Sequence, residues 1–185
     1  MFELPMWRFP LEGDRVRLRP LQMRDLANFF SYRSDPAVGR FQGWWPMSAD
    51  DARTFIGSML DVDRPRTGNW VQLGIALPES DHLIGDVGIH LDHAGLLAHV
   101  GYSCARLFQR QGLTTEAVRL LVRQLAHYTS CISVRATTDS RNKPSERLLT
   151  KLGFEQVEIL PATFRGESCV EVSYELCLDR ILANS

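Results

Sequence analysis

Gln109-Arg110-Gln111-Gly112-Leu113-Thr114-Thr115-Glu116-Ala117 is the stretch on which the fold turns. From Leu113 onward the apolar residues take a helical period: Ala117, Leu121 and Leu125, with Leu120 beside them, form a stripe, while Arg119 and Arg123 point elsewhere. A helix therefore starts directly after a glycine turn. Gly112 lets the backbone pass close to a ligand, the first N–H groups of the helix lack partners, and the macrodipole is positive there. Such a cradle suits a pyrophosphate. A nucleotide P-loop would need Gly-Lys-Ser/Thr and a dinucleotide fingerprint would need more glycines, so neither applies. The plain alternative is a helix-opening turn with a lone glycine.

Working outward, Leu97 to Cys104 reads as a strand before the loop and Ile132 to Thr138 as a strand after the helix. Strand, loop, helix, strand is a right-handed crossover between parallel strands. Asn142 can cap the next helix, Pro144 is tolerated in its first turn, and Gly153 ends it. Upstream, Trp70 to Leu77 and Leu83 to Leu91 are two further strands, and the short breaks at Pro78 to Asp81 and Asp92 to Gly95 favour antiparallel hairpins. Val16 to Arg19 alternates like a half-buried strand. Leu26, Phe29 and Phe30 share a helical face that Asp35-Pro36 closes, and Ser48 caps a helix carrying Ala52, Phe55, Ile56 and Met59. Glu155 to Leu160 and Ser168 to Leu178 would form a terminal hairpin. The expected fold class is α+β: a mixed, mostly antiparallel sheet of six to seven strands with one parallel βαβ step and helices on both faces. Residues 1–185 are read as a single domain.

Further residues bear a family likeness. Gln109-x-x-Gly112-x-Thr114 resembles the pyrophosphate loop of the GNAT superfamily of acyl-coenzyme A-dependent N-acyltransferases, Gln/Arg-x-x-Gly-x-Gly/Ala, except at its last position. Asn142-x-x-Ser145 followed by Lys151-Leu152-Gly153-Phe154 resembles a segment of the RimJ/RimL-type branch, which acetylates ribosomal-protein N-termini. Gly13-Asp14-Arg15 with Leu18-Arg19-Pro20, Arg33-Ser34-Asp35-Pro36, Ile84-Gly85-Asp86-Val87-Gly88 and Val100-Gly101-Tyr102 continue the likeness over nearly the whole chain. It implies the GNAT-like fold, an acetyltransferase, and acetyl-CoA as cosubstrate with no metal. The N–H groups of Arg110, Gln111, Gly112, Leu113, Thr114 and Thr115 would hold the pyrophosphate, with Gln109 as the cofactor-binding residue that opens the loop. The strand Val100, Gly101, Tyr102 would bond the pantetheine amides, with Asn142 and Ser145 facing the arm.

Acyl transfer from a thioester to an amine needs a neutral amine, a stabilised oxyanion and help for the departing thiolate. Many GNAT enzymes protonate the thiolate with a tyrosine on the second helix; the matching residue here is Leu149, which cannot. The Rim-type likeness puts Ser145 in that role. The branch usually carries a glutamate two residues before Gly-Tyr, and here His99 stands there. An imidazole is a competent base at neutral pH, although a strand histidine also serves structurally. Asp86, on the adjacent strand, is the next candidate toward the acceptor, its plainer reading being an exposed carboxylate. Trp44 and Trp45, adjacent in a loop, should point apart, so one of them lines a substrate cleft or both seal the helices against the sheet. A glutamate found before the last hairpin of ribosomal-protein acetylating members is Ala162 here, which argues against their substrate.

Composition agrees. The chain has 185 residues, 44% of them hydrophobic, and a net charge of −1 without any basic block, so nucleic acid is a poor partner. No apolar run approaches the ~20 residues of a membrane span, and Met1 to Pro10 lacks a signal-peptide layout, so the cytoplasm is expected. Cys104, Cys131, Cys169 and Cys177 lack Cys-x-x-Cys spacing and each lies in or beside an apolar stretch, the pattern of buried thiols. His90-x-x-His93 lacks further metal ligands at fixed spacing. The expected partner is an amine acceptor, small molecule or protein N-terminus, with a homodimer as the assembly to consider. A larger acyl group such as succinyl, or a catalytically silent acyl-CoA-binding protein, are the alternatives.

Overall fold

The computed structural model describes residues 7–62 and 64–182. The strands are β1 (Leu11–Glu12), β2 (Arg17–Pro20), β3 (Trp70–Ala76), β4 (Leu83–Leu91), β5 (Leu97–Cys104), β6 (Ser133–Asp139), β7 (Glu155–Phe164) and β8 (Glu167–Cys177). The helices are α1 (Leu26–Arg33), α2 (Pro36–Gly39), α3 (Ala49–Ser58), α4 (Leu113–Tyr128), α5 (Lys143–Lys151) and α6 (Asp179–Leu182). All eight strands make one sheet in the order β1-β2-β3-β4-β5-β6-β8-β7, antiparallel except where β5 meets β6. The sequence expectation of six to seven strands falls short because β1 is only two residues long, too short to show alternation.

The two faces of the sheet carry two cores. On one, Leu121 and Leu125 of α4 are fully buried among Val87 and Ile89 of β4, Val100 of β5 and Leu149 of α5. Burial at that level is worth about 2 kcal/mol per large aliphatic side chain. On the other face, Phe29 and Tyr32 of α1 and Ile56 of α3 enclose Leu21 and Leu83. A bulge where β3 meets β4, between Ile75 and Ala76, explains how Ile84 joins the first core while neighbouring Leu83 joins the second.

A buried ion pair fastens α1 to the sheet. The Asp86 carboxylate on β4 has no exposed surface and accepts from Arg33 Nη2 (2.8 Å), Arg33 Nε (3.0 Å), Tyr32 Oη (2.5 Å) and Gln72 Nε2 (2.6 Å). Four donors satisfy a charge that would otherwise be costly inside the protein. Burial, then the Asp86 charge, pushes the Tyr32 phenol far above its ordinary range, so it only donates. The exposed carboxylate expected from sequence is thus corrected: a strand charge reads as exposed until its partner, 53 positions earlier, is seen.

Two other expectations change. Asp35-Pro36 does end α1, but the same residues start α2: the Asp35 side chain accepts from the Ala37 N–H and Pro36 occupies the first helical position. Of the four cysteines, all free, Cys104 and Cys131 are buried, Cys169 is half-buried and Cys177 is exposed. Cys177 alternates outward at the end of β8, on the face opposite its buried neighbours Leu176 and Leu178.

Candidate active site

β5 is where the sheet opens. It pairs in parallel with β6 only at Leu97↔Ser133, Ala98↔Val134 and His99↔Arg135, while β6 goes on to pair with β8 as far as Asp139↔Glu171. From Val100 onward β5 and β6 therefore part. Ala105 N–H donates to Ile84 O and Asp92 N–H to Leu97 O, so the alternation of an antiparallel ladder turns the backbone groups of His99, Gly101 and Ser103 toward β4. Those of Val100, Tyr102 and Cys104 then face the gap. Two of these carbonyls are taken by side chains: Tyr102 O accepts from Gln42 Nε2 (3.0 Å) and Cys104 O from Gln109 Nε2 (2.8 Å). The remaining amide groups form a strand edge ready for a ligand that carries amides of its own.

The gap leads to the glycine loop. Arg110 has φ +62° and Gly112 φ +79°, so left-handed residues alternate with ordinary ones and turn successive N–H groups into a concavity. Gly112 N-caps α4, a position that favours glycine at this φ. The loop is braced from behind: Glu116 accepts from the Arg15 N–H (2.7 Å), Arg15 Nε (3.0 Å) and the Val16 N–H, and Arg15 Nη1 donates to Gln111 O (2.9 Å). These bonds hold the Glu116 carboxyl below the usual carboxylate range against its partial burial. Its charge is thereby neutralised by Arg15, next to the place where an anion would sit. Thr114, at the loop's last motif position, is half-buried, and Thr115 is buried.

Helix α5 walls the other side. The Asn142 side chain accepts from the Ser145 N–H (3.4 Å), so Asn142 is the N-cap. Ser145 is buried and its Oγ lies 2.8 Å from the Tyr102 hydroxyl, bridging α5 and β5. Leu149, one turn on, is fully buried in the core. Burial pushes the Tyr102 phenol up to about 12, with the Ser145 bond opposing it.

On the opposite face of the sheet lies a polar floor. His99 on β5 is flanked by His90 on β4, with ring centroids 6.0 Å apart, and sits opposite Arg135 on β6, whose Nη2 bonds Glu175 Oε2 at 2.6 Å. His99 is half-buried, and its pKa is lowered from 6.5, first by desolvation, then by His90 and Arg135, with Asp92 and Glu175 opposing. A Cβ at Gly101 would meet nothing within 4 Å, so the floor beside His99 is open. Above it the loop 41–46 forms a roof. Trp44 is half-buried with Arg33 stacked 4.6 Å from its ring, whereas Trp45 is 68% exposed with Arg165 at 4.4 Å, so the two indoles do point apart. Arg165, at the tip of the β7–β8 hairpin, also donates to Trp44 O (2.5 Å) and Gln42 O (3.3 Å).

The sheet opening is tied to the glycine loop through Gln109 and Cys104 O, and to the first turn of α5 through Tyr102 and Ser145. Residues 15–155 match the family described as acetyltransferase (GNAT) domain. The chain belongs to the GNAT family. It is accordingly an acyl-CoA-dependent acetyltransferase. An uncharacterized N-acetyltransferase, p20, from Bacillus licheniformis is 27% identical over 152 residues, covering 81% of this chain and 84% of that protein. Among solved structures, a GNAT-family acetyltransferase from Bacillus anthracis superposes with a TM-score of 0.82 at 17% identity, covering 91% of this chain and 98% of that one. RimL, a ribosomal L7/L12 α-N-protein acetyltransferase solved with coenzyme A, superposes with a TM-score of 0.78 at 16% identity, covering 90% and 96%.

Within this GNAT fold the sequence-named residues group unevenly. Val100, Gly101 and Tyr102 lie where β5 parts from β6, residues 109–115 follow through the Gln109–Cys104 bond, and Asn142 and Ser145 reach the strand through the Tyr102 hydroxyl, whereas His99 lies on the other face and Trp44 packs on Arg33 against the α1/α3 core. Asp86 is sealed under α1, so it supports the site rather than lining it. Gln42, Arg135, Glu175 and Arg165 escaped sequence reading because each meets its partner across 40 to 123 positions, with no local spacing to mark it. Among the described residues no group of three or more metal-ligating side chains clusters, and no helix is long and apolar enough to cross a membrane.

Proposed function

We propose that this enzyme moves an acetyl group from acetyl-CoA to a primary amine by direct attack in a ternary complex. The observation that carries this reading is the parting of β5 from β6 immediately upstream of the anion nest. In it, the N–H groups of Arg110 to Thr115 hold the pyrophosphate, while Gln109 shapes the loop through its bond to Cys104 O. The free edge of Val100 and Tyr102 then pairs with the pantetheine amides, which places the thioester near Val100 and Gly101, beside His99. The donor enters from the α4/α5 side and the amine from the polar floor, so the two meet through the gap. Neutral His99 accepts the proton of the attacking amine, and Ser145 hydrogen-bonds the sulfur as the C–S bond breaks.

RimL is a ribosomal L7/L12 α-N-protein acetyltransferase, and that likeness supports a peptide N-terminus as the acceptor, with a small amine as the alternative. Thiol release from acetyl-CoA and from succinyl-CoA, measured with a panel of small amines and short peptides, tests the reading. Release from acetyl-CoA that depends on an amine supports it; preference for succinyl-CoA moves the function to the larger acyl group, and release without any amine dependence removes it. Ser145→Ala should lower kcat about tenfold, the worth of one hydrogen bond to a developing charge, while the KM for acetyl-CoA stays within twofold. Arg165→Ala should raise the acceptor KM several-fold by loosening the 41–46 roof, with coenzyme A affinity unchanged in calorimetry. A weakened coenzyme A would show that the latch acts on the donor side instead.

A further inference from the structure

We infer that Tyr102 is a second hydroxyl of the leaving-group site, coupled to Ser145 so that the pair always presents one proton to the departing sulfur. This inference rests on the proposed role of Ser145. The two oxygens are 2.8 Å apart, and either one serves as donor in that bond. Two hydroxyls bring two protons and share one hydrogen bond, so one proton is left to point elsewhere whichever way the bond runs. If Tyr102 donates, the Ser145 proton is free to turn; if Ser145 donates, the Tyr102 proton is. Both side chains come from walls of the gap, one from the strand with the free amide edge and one from the first turn of α5. The helix position one turn further on holds only Leu149, sealed in the core, so no other side chain of that turn competes for the role.

The chemistry balances without a net proton leaving the pair. The amine nitrogen forms the new C–N bond and gives its proton to His99; the C–S bond breaks and its electron pair stays on sulfur. The sulfur departs as a thiolate that accepts a hydrogen bond from the pair, and solvent protonates it after release. A phenol pushed up to about 12 holds its proton far more tightly than a thiol does, which fits a donor that bonds the sulfur without surrendering to it. Tyr102 also orients Ser145, whose hydroxyl would otherwise be free to bond the backbone of its own helix turn.

Tyr102→Phe removes one oxygen and keeps the ring in its packing, so it is the variant to make. Expected is a fall in kcat of about fivefold to tenfold, with the KM for acetyl-CoA and the melting temperature close to wild type. The double variant Tyr102→Phe/Ser145→Ala should be slower than either single variant by about fivefold to tenfold, because each hydroxyl left alone still has a proton to turn toward the sulfur and the double variant has none. A tyrosine that only positions Ser145 would not give that pattern: its loss would lower the melting temperature or raise KM, or would cost nothing further once Ser145 is alanine. Any of these results overturns the inference. Ser145→Ala slow with Tyr102→Phe at the wild-type rate rejects the role of Tyr102 alone. Ser145→Ala at the wild-type rate rejects the leaving-group assignment of Ser145 and the pair with it.

Discussion

Gly112→Asp is expected to weaken coenzyme A binding by a hundredfold or more while leaving the enzyme folded. A Cβ at this position meets only Arg15 Nη2 at 3.4 Å, so nothing in the core is displaced. The residue must still hold φ +79°, which costs a non-glycine residue roughly 1–2 kcal/mol. The added carboxylate, directed at Arg15, competes with Glu116 for the guanidinium that braces Gln111 and adds negative charge beside the nest, and the two penalties together reach the ~2.7 kcal/mol that a hundredfold represents. Calorimetric titration with coenzyme A, beside a melting curve, measures both parts. Gly112→Ala isolates the backbone part and should lose no more than about tenfold. An Asp variant that binds as the wild type does would move the pyrophosphate elsewhere.

The second large effect is at His99. His99→Gln keeps a hydrogen-bonding side chain but accepts no proton, and the rate at neutral pH should fall roughly a hundredfold, the lower end for loss of a general base. Desolvation, His90 and Arg135 hold the imidazole pKa below 6.5, with Asp92 and Glu175 pulling the other way. The base is active when neutral, so wild-type kcat/KM should climb with pH through a value under 6.5 and be level by neutrality. The variant should lack that acid limb. His99→Glu should recover part of the rate, since it installs the residue the Rim-type branch usually carries. A Gln variant with wild-type rate and profile would leave deprotonation to water or to the acceptor's own ionisation.

What the sequence discloses follows the range of the interactions involved. The anion loop was readable because its glycine, its helix start and its first turn are contiguous, and the βαβ step followed from it. The antiparallel strands β3 to β5 were readable because short polar breaks separate apolar runs. The terminal hairpin was placed, but β7 runs on through Pro161 to Phe164, which an edge strand tolerates since one row of its N–H groups is unpaired. The face proposed for the acceptor was hardly readable. Its floor is drawn from β4, β5, β6 and β8, and its roof is latched by Arg165 from beyond position 160, so no window of sequence contains it. Asp86 shows the same limit: its type was visible on the strand, but its burial depends on Arg33 and Tyr32 from another element.

The division of labour along β5 bears on how such an enzyme can change over evolutionary time. In the proposed arrangement its main chain serves the donor, through amide groups that every residue except proline supplies. The face that carries His99 and the open position at Gly101 is turned to the acceptor. Substitution at Gly101 would therefore change what is acylated without erasing how the acyl donor is held. Directed evolution toward a new amine would accordingly start from libraries at position 101 and in the 41–46 roof, with His99 and the 109–115 loop left untouched.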